Sequence, residues 1–253
     1  MKYLTVESEF KNSIASYLAW DSDFFGFNVA TILKPELNFS DLVVIKKFVI
    51  ENNIKLLTFL SSISDRNTIL AAESYGFSLV DVRLTFSLDP LKNESHSSPD
   101  SSSENSIQLA DLEDASDLAI IAMNSYISSR YFFDGQFDEN KLKEFYGGWV
   151  IKAITGDFDD ECWVIKLKSE IVAYCTIRYE NSKSFIGLVG VSQSQVGRGW
   201  GKKLLTKVIS MLKSKGISEI SVVTQARNIA AQNLYSSVGF KVAKTEVWYH
   251  KWF

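Results

Sequence analysis

Three glycines at alternate positions, Gly197, Gly199 and Gly201, follow the short apolar stretch Val189-Gly190-Val191 and open a helical pattern at Trp200. A strand, a glycine turn and a helix start, in that order, form a site for an anion. The first N–H groups of a helix have no internal partner and lie at the positive end of its dipole. Missing Cβ atoms let a diphosphate approach the backbone closely. Arg198, Lys202, Lys203 and Lys207 gather positive charge here, in a chain whose net charge is −3. A P-loop would need Ser or Thr after its lysine, and Lys202 is followed by Lys203. A dinucleotide fingerprint would need G-x-G-x-x-G, and the spacing here is G-x-G-x-G. On this stretch alone, a connector that binds nothing stays open beside the anion site.

A second stretch narrows the choice. Asn228 to Phe240 reads N-x-x-A-x-x-L-Y-x-x-x-G-F. The two motifs, in this order and at this separation, resemble the GCN5-related N-acetyltransferase (GNAT) superfamily. That resemblance implies acyl-CoA as co-substrate. Its diphosphate would lie on Val196, Gly197, Arg198, Gly199, Trp200, Gly201 and Lys202, its pantetheine arm along Val189, Gly190 and Val191, with Asn228 as a further contact. Tyr235 would be the general acid beside the departing sulfur. The loop departs from the family's R/Q-x-x-G-x-G/A pattern at Val196, which removes one polar side chain. Tyr235 also shares a helix face with Ala231 and Val238, so packing is its alternative role, and Asn228 suits a helix N-cap.

Three further passages resemble the nucleotide-sugar N-acyltransferases of surface-polysaccharide synthesis, the TDP-fucosamine acetyltransferase family among them. They are Leu18 to Gly26, Ser129 to Phe133, and Gly156 to Cys162, with Phe145, Tyr146 and Trp149 between the last two. The resemblance implies a TDP-linked amino-deoxysugar as acceptor in O-antigen or related glycan synthesis. Thymine needs an aromatic face and a diphosphate needs cationic donors. Arg130, Tyr131, Phe132, Phe133 and Asp134 could offer both, so they form the expected acceptor set. The competing reading makes these aromatics core and Arg130 a paired or solvated cation. Trp20, Phe24 and Phe25 read as core, and Asp157 to Glu161 as a solvated turn. No general base stands out. Glu180 and Asp134 are candidates on placement, with water as the alternative.

These groups need a scaffold. Pro90 to Ser106 is Ser-rich with one large apolar residue and reads as a linker. It divides an N-terminal α/β domain, residues 1–89, from a catalytic domain, residues 107–253. In the latter, Asp111 opens a capped turn and helix. Residues 140–155 show helical spacing, 162–180 a hairpin about Lys168-Ser169, and 185–191 a strand. Residues 200–211 carry an amphipathic stripe, followed by a strand at 218–224, a helix at 228–238 and strands to Trp252. The expected class is α/β (α+β): the GNAT fold, a mixed central sheet flanked by helices, with a smaller degenerate GNAT-like domain before it. Leu70 to Phe86 parallels Leu234 to Tyr249, each with a helix ending at Gly-Phe before an alternating strand. Residues 41–54 and 56–60 would supply the preceding helix and strand, without a CoA loop.

At 253 residues the chain exceeds one acetyltransferase domain of ~150 residues. Its mild acidity argues against nucleic acid, and no apolar run approaches the ~20 residues of a membrane span. The N-terminus turns polar too soon for a signal peptide, so the cytoplasm is expected. Cys162 and Cys175 read as buried inert thiols, and His96 and His250 lack neighbours at ligand spacing, so no metal is expected. A homodimer is left open. Protein or peptide N-acetylation and a CoA-binding interaction protein without turnover are the alternative functions.

Overall fold

The computed structural model describes residues 14–92 and 107–253. In chain order its first elements are β1 (Ala15–Tyr17), α1 (Ala19–Phe25), β2 (Val29–Ile32), α2 (Phe39–Glu51), β3 (Leu56–Ser62), α3 (Arg66–Ser74) and β4 (Ser78–Leu88). Next come β5 (Ile107–Leu109), α4 (Ala115–Ser125), α5 (Arg130–Asp134), α6 (Glu139–Ile154), β6 (Glu161–Leu167), β7 (Glu170–Glu180) and β8 (Lys183–Val191). The last are α7 (Trp200–Ser214), β9 (Glu219–Gln225), α8 (Ile229–Ser237) and β10 (Lys241–Trp252). Most of the expected linker lies outside the described residues.

Two compact units emerge, and they interleave along the chain. One takes the described residues up to Arg83 together with Ser129–Phe137 and Thr245–Phe253; the other takes Leu84–Ser128 and Asp138–Lys244. These units differ from the sequence-based division at residues 90–106 in grouping α5 and the end of β10 with the first unit. Their attachment runs through long-range contacts that local composition does not encode.

In the first unit, β1 pairs antiparallel with β2, β2 parallel with β3, and β3 antiparallel with β10, Leu56 opposite Trp252 and Ser62 opposite Glu246. Leu56, Leu57 and Phe59 are buried on alternate faces, as a strand covered on both sides requires. Two helices start on well-formed caps. Asn38 and Asp41 make a reciprocal capping box at α2, and Asp65 accepts from the N–H groups of Asn67 and Thr68 at α3. Ile45, Phe48, Phe59, Phe77, Val247 and Tyr249 share one core.

The second unit runs β4, β9, β8, β7, β6, β5 across its sheet. The β5–β8 pairs are antiparallel and β8–β9 is parallel. Strand β7 is buried from Ile171 to Ile177, as a central strand must be. Alternation divides it: Ala173, Cys175 and Ile177 meet Leu204, Leu205 and Val208 of α7 and Tyr235 of α8, whereas Tyr174 meets Leu118 of α4 and Val150 of α6. The β6–β7 hairpin turns on Lys168 and Ser169, both at positive φ. Cys162 and Cys175 are free and buried; burial pushes the Cys162 thiol up to about 12, which leaves it inert.

Candidate active site

The site begins with one irregularity in β8. Cys175 pairs with Val189 and Ile177 with Ile186, so Gly187 and Leu188 together oppose the single residue Thr176. That two-against-one count is a β-bulge, which bends the strand that carries it. Pairing between β8 and β9 covers Lys183–Ile186 against Glu219–Val222. Beyond it β8 continues to Val191 and β9 to Gln225, with no further pairing among the described residues. The parallel strands therefore part where the bulge lies, and their facing backbone groups open there. Thr176 Oγ1 accepts the Leu188 N–H at 2.8 Å and holds the bulge. Tyr126 donates to the Val189 carbonyl at 3.2 Å and shares a 2.8 Å hydroxyl contact with Tyr174. The Tyr174 ring closes over Gly190, where an added Cβ would lie 2.3 Å from it.

After Val191 the chain makes a 3-10 turn at Gln193–Gln195 and passes Val196, which is exposed, into the glycine loop. Gly197 and Gly199 both have φ of +81°, a conformation L side chains rarely adopt, and nothing stands where their Cβ atoms would be. Gly199 caps α7, no side chain accepts from the first N–H groups of the helix, and its first turn holds no acidic residue. Arg198 and Lys202 are exposed beside this open helix start. The Trp200 indole donates to Gln195 at 3.3 Å and ties the helix to the turn before it. These features fit the diphosphate of acyl-CoA. Gly201 has a different part from its neighbours. It is buried, and a Cβ there would lie 3.1 Å from Leu234 and 3.6 Å from Val191, so it lets α7 close on α8 and β8.

Asn228 is the N-cap of α8, accepting the Ala231 N–H at 3.1 Å. Seven residues on, about two turns, the Tyr235 ring packs edge-on against Phe86. Burial, with a smaller contribution from Cys175, raises its phenol pKa well above the ordinary value. The hydroxyl stays protonated through the neutral range, as a proton donor must. Burial also raises Tyr126, and Tyr174 and Tyr235 add to the shift.

The expected acceptor set is scattered in its surroundings. Arg130 lies stacked between the rings of Tyr131 and Trp248, at 4.2 and 4.1 Å, and donates to the Tyr131 hydroxyl at 2.7 Å. Tyr131 donates in turn to buried Asp21 at 2.9 Å. Arg130 and Tyr131 thus serve the first unit's interior, a role that the cation–aromatic pattern could not distinguish from a ligand site. Asp134 is buried, pairs with His250 Nδ1 and accepts from the Trp252 indole at 3.1 Å. His250 thereby has a carboxylate partner that its sequence neighbours did not suggest. Burial, outweighing Asp134, lowers its pKa and keeps it neutral. Phe132 is partly exposed and Phe133 exposed. Neither expected base suits the role. Asp134 is engaged, and Glu180 sits opposite Lys183 at the hairpin turn, at the far end of β8 from Val189–Val191. Among the described residues no group of three or more His, Cys, Asp or Glu is placed to hold a metal.

Residues 122–240 match the model of the acetyltransferase (GNAT) family, and the chain carries a GNAT acetyltransferase domain. It is an acyl-CoA-dependent N-acyltransferase. Across 92% of its length it is 25% identical to the dTDP-fucosamine acetyltransferase of Escherichia coli O6:H1, spanning 96% of that protein. It is 24% identical over 132 residues, 52% of the chain and 45% of the relative, to the spore coat polysaccharide biosynthesis protein SpsD of Bacillus subtilis. A GCN5-related N-acetyltransferase from Sphaerobacter thermophilus has the same fold, with TM-score 0.65 at 14% identity over 94% of this chain and 76% of that one. No described helix is long and apolar enough to cross a membrane.

Proposed function

We propose that this enzyme moves an acetyl or related small acyl group from acyl-CoA to the amine of a TDP-linked amino-deoxysugar, in the cytoplasm, for O-antigen or a related surface glycan. The observation that carries the acceptor is the similarity to a dTDP-sugar acetyltransferase along 92% of the chain. The open start of α7 supports the donor half. Its N–H groups, with Arg198 and Lys202, would hold the diphosphate. The backbone of Val189–Val191, beyond the stretch of β8 that pairs with β9, would hold the pantetheine arm, with Asn228 a further contact at the start of α8. In this reading a neutral amine attacks the thioester carbonyl, backbone N–H groups of β8 stabilise the developing oxyanion, and Tyr235 protonates the departing sulfur. Phe132 and Phe133, the accessible members of the acceptor set, are the proposed surface for the nucleotide.

Free-thiol release from acetyl-CoA, measured with TDP-amino sugars, with peptides and with no acceptor, tests the reading. Turnover confined to the sugar nucleotides is expected. Turnover on peptides alone would make the enzyme a protein or peptide acetyltransferase. CoA binding without turnover on any amine would make it an interaction module.

A further inference from the structure

The loop between α6 and β6, Gly156-Asp-Phe-Asp-Asp160, carries one carboxylate that the fold takes out of water. Asp160 pins the loop to β7: its N–H donates to the Ile177 carbonyl at 2.8 Å, and its carboxylate accepts the Tyr179 N–H at 2.6 Å. Asp159, only 4% exposed, is thereby turned inward, and its Oδ2 has no hydrogen-bond partner. It rests on Gly187, the first residue of the β8 bulge. A Cβ at Gly187 would lie 2.6 Å from Asp159 Oδ2 and 2.8 Å from Thr176 Oγ1. The loop thus delivers a carboxylate into the space that a side chain of β8 would fill, where β8 leaves β9.

A buried carboxylate oxygen without a partner is costly and calls for an explanation. Resting on the acyl-transfer reading above, we propose that Asp159 is the general base, accepting the proton that the acceptor amine loses as its nitrogen bonds to the acyl carbon. The C–N bond forms and the C–S bond breaks. The nitrogen's proton passes to Asp159, the departing sulfur takes one from Tyr235, and solvent resets both groups. Thr176 alternates with Cys175 and Ile177 along β7, so Asp159 lies on the sheet face opposite the one that packs against Tyr235. Base and acid would therefore serve opposite sides of the opened strand. The groups that set the titration of Asp159 are known. Burial raises it most and Asp160 adds to this, while the Thr176 hydrogen bond and Arg178 lower it; Cys162 and Cys175, which also sense Asp159, stay neutral thiols. The net shift is upward, toward a stronger base.

The test is the pH dependence of kcat/KM, with whichever amine the wild type accepts, in Asp159→Asn and Thr176→Val. Asp159→Asn should lose about 10²–10⁴-fold in kcat/KM, along with the part of the acidic limb that does not belong to the acceptor amine's own ionisation, while acyl-CoA affinity and Tm hold. Thr176→Val removes a hydrogen bond that favours the charged form, so its acidic limb should move to higher pH. An unchanged limb in both variants would overturn the assignment, as would parallel losses of Tm and CoA affinity in Asp159→Asn with no shift of the limb in Thr176→Val. Failure of the sugar reading shows separately: the wild type would then prefer an amine other than a sugar nucleotide, and the Asp159 profile would be read with that amine.

Discussion

The run β2–α2–β3–α3–β4 and the run β8–α7–β9–α8–β10 are two versions of one arrangement. Each joins parallel strands through a helix, then adds a shorter helix and a strand. Their correspondence is residue by residue. Asp65 and Asn228 are N-caps, Ala72 and Tyr235 lie seven positions on, and Gly76-Phe77 and Gly239-Phe240 end the short helices. Both glycines take positive φ, and the Phe77 and Phe240 N–H groups donate to the carbonyls of Ala72 and Tyr235 at 3.1 Å.

The two versions differ where chemistry would occur. In the first, β2 pairs with β3 along its whole length, and the Ser62 N–H bonds the Pro35 carbonyl beyond the end of β2. Its helix start is occupied by Asn38 and Asp41, with Lys34 at 2.9 Å from Asp41. In the second, a bulge parts the strands and the helix start is left to glycine. The scaffold is common to both; only the second leaves its helix start without a side-chain cap.

Tyr235 offers the sharpest test of that contrast. Tyr235→Phe should cut turnover by about 10²–10⁴-fold, the range for a positioned general acid, with Tm and CoA affinity unchanged by calorimetry. Tyr235→Ala, which installs the residue of the first version, should in addition lower stability by about 3–5 kcal/mol through the cavity it leaves. A small rate change in the Phe variant would assign the ring to packing alone.

Arg130→Ala should act on folding. Removing the cation leaves buried Asp21 without its nearby positive charge, at a cost of about 3 kcal/mol in chemical denaturation. The Michaelis constants for both substrates should change together. A selective rise for the sugar nucleotide would restore Arg130 to the acceptor set.

Gly199→Asp gives α7 the kind of cap that α2 carries. Space is open at this position, but its left-handed backbone strains an L residue, so stability should fall by about 1–2 kcal/mol. The added charge should weaken CoA binding about a hundredfold, or roughly 2.7 kcal/mol. Unaltered affinity would mean that the loop is only a connector. Gly201→Ala should do least. The new methyl presses on the flexible Leu234 side chain while helix propensity improves by about 1 kcal/mol, so stability and CoA affinity should both stay near those of the wild type.

The glycine loop, the caps at Asp111 and Asn228, the Lys168-Ser169 hairpin and the Gly-Phe echo could be read from sequence because each is local. Turn glycines, cap residues and strand alternation act within a few positions of one another. Asp159 could not be read this way. Asp157 to Glu161 has the composition of a solvated turn, and only the register of β7 against β8 shows that one of its carboxylates meets Gly187. Arg130 is ambiguous for another reason: an arginine among aromatics has the same pattern whether its partner is a ligand or Trp248. The sequence signal for the bulge was Gly187 itself, a glycine inside a strand pattern, which is a known mark of a bulge or a close approach.

The interleaving of the units has a consequence for synthesis. A chain emerges from the ribosome in order, and N-terminal units generally fold first. Here the N-terminal unit pairs β3 with Glu246–Trp252 and builds Val247 and Tyr249 into its core. That unit therefore stays incomplete until residues 245–253 have been translated, whereas the second unit needs nothing beyond Lys244. Although it begins first, the N-terminal unit is the last to close.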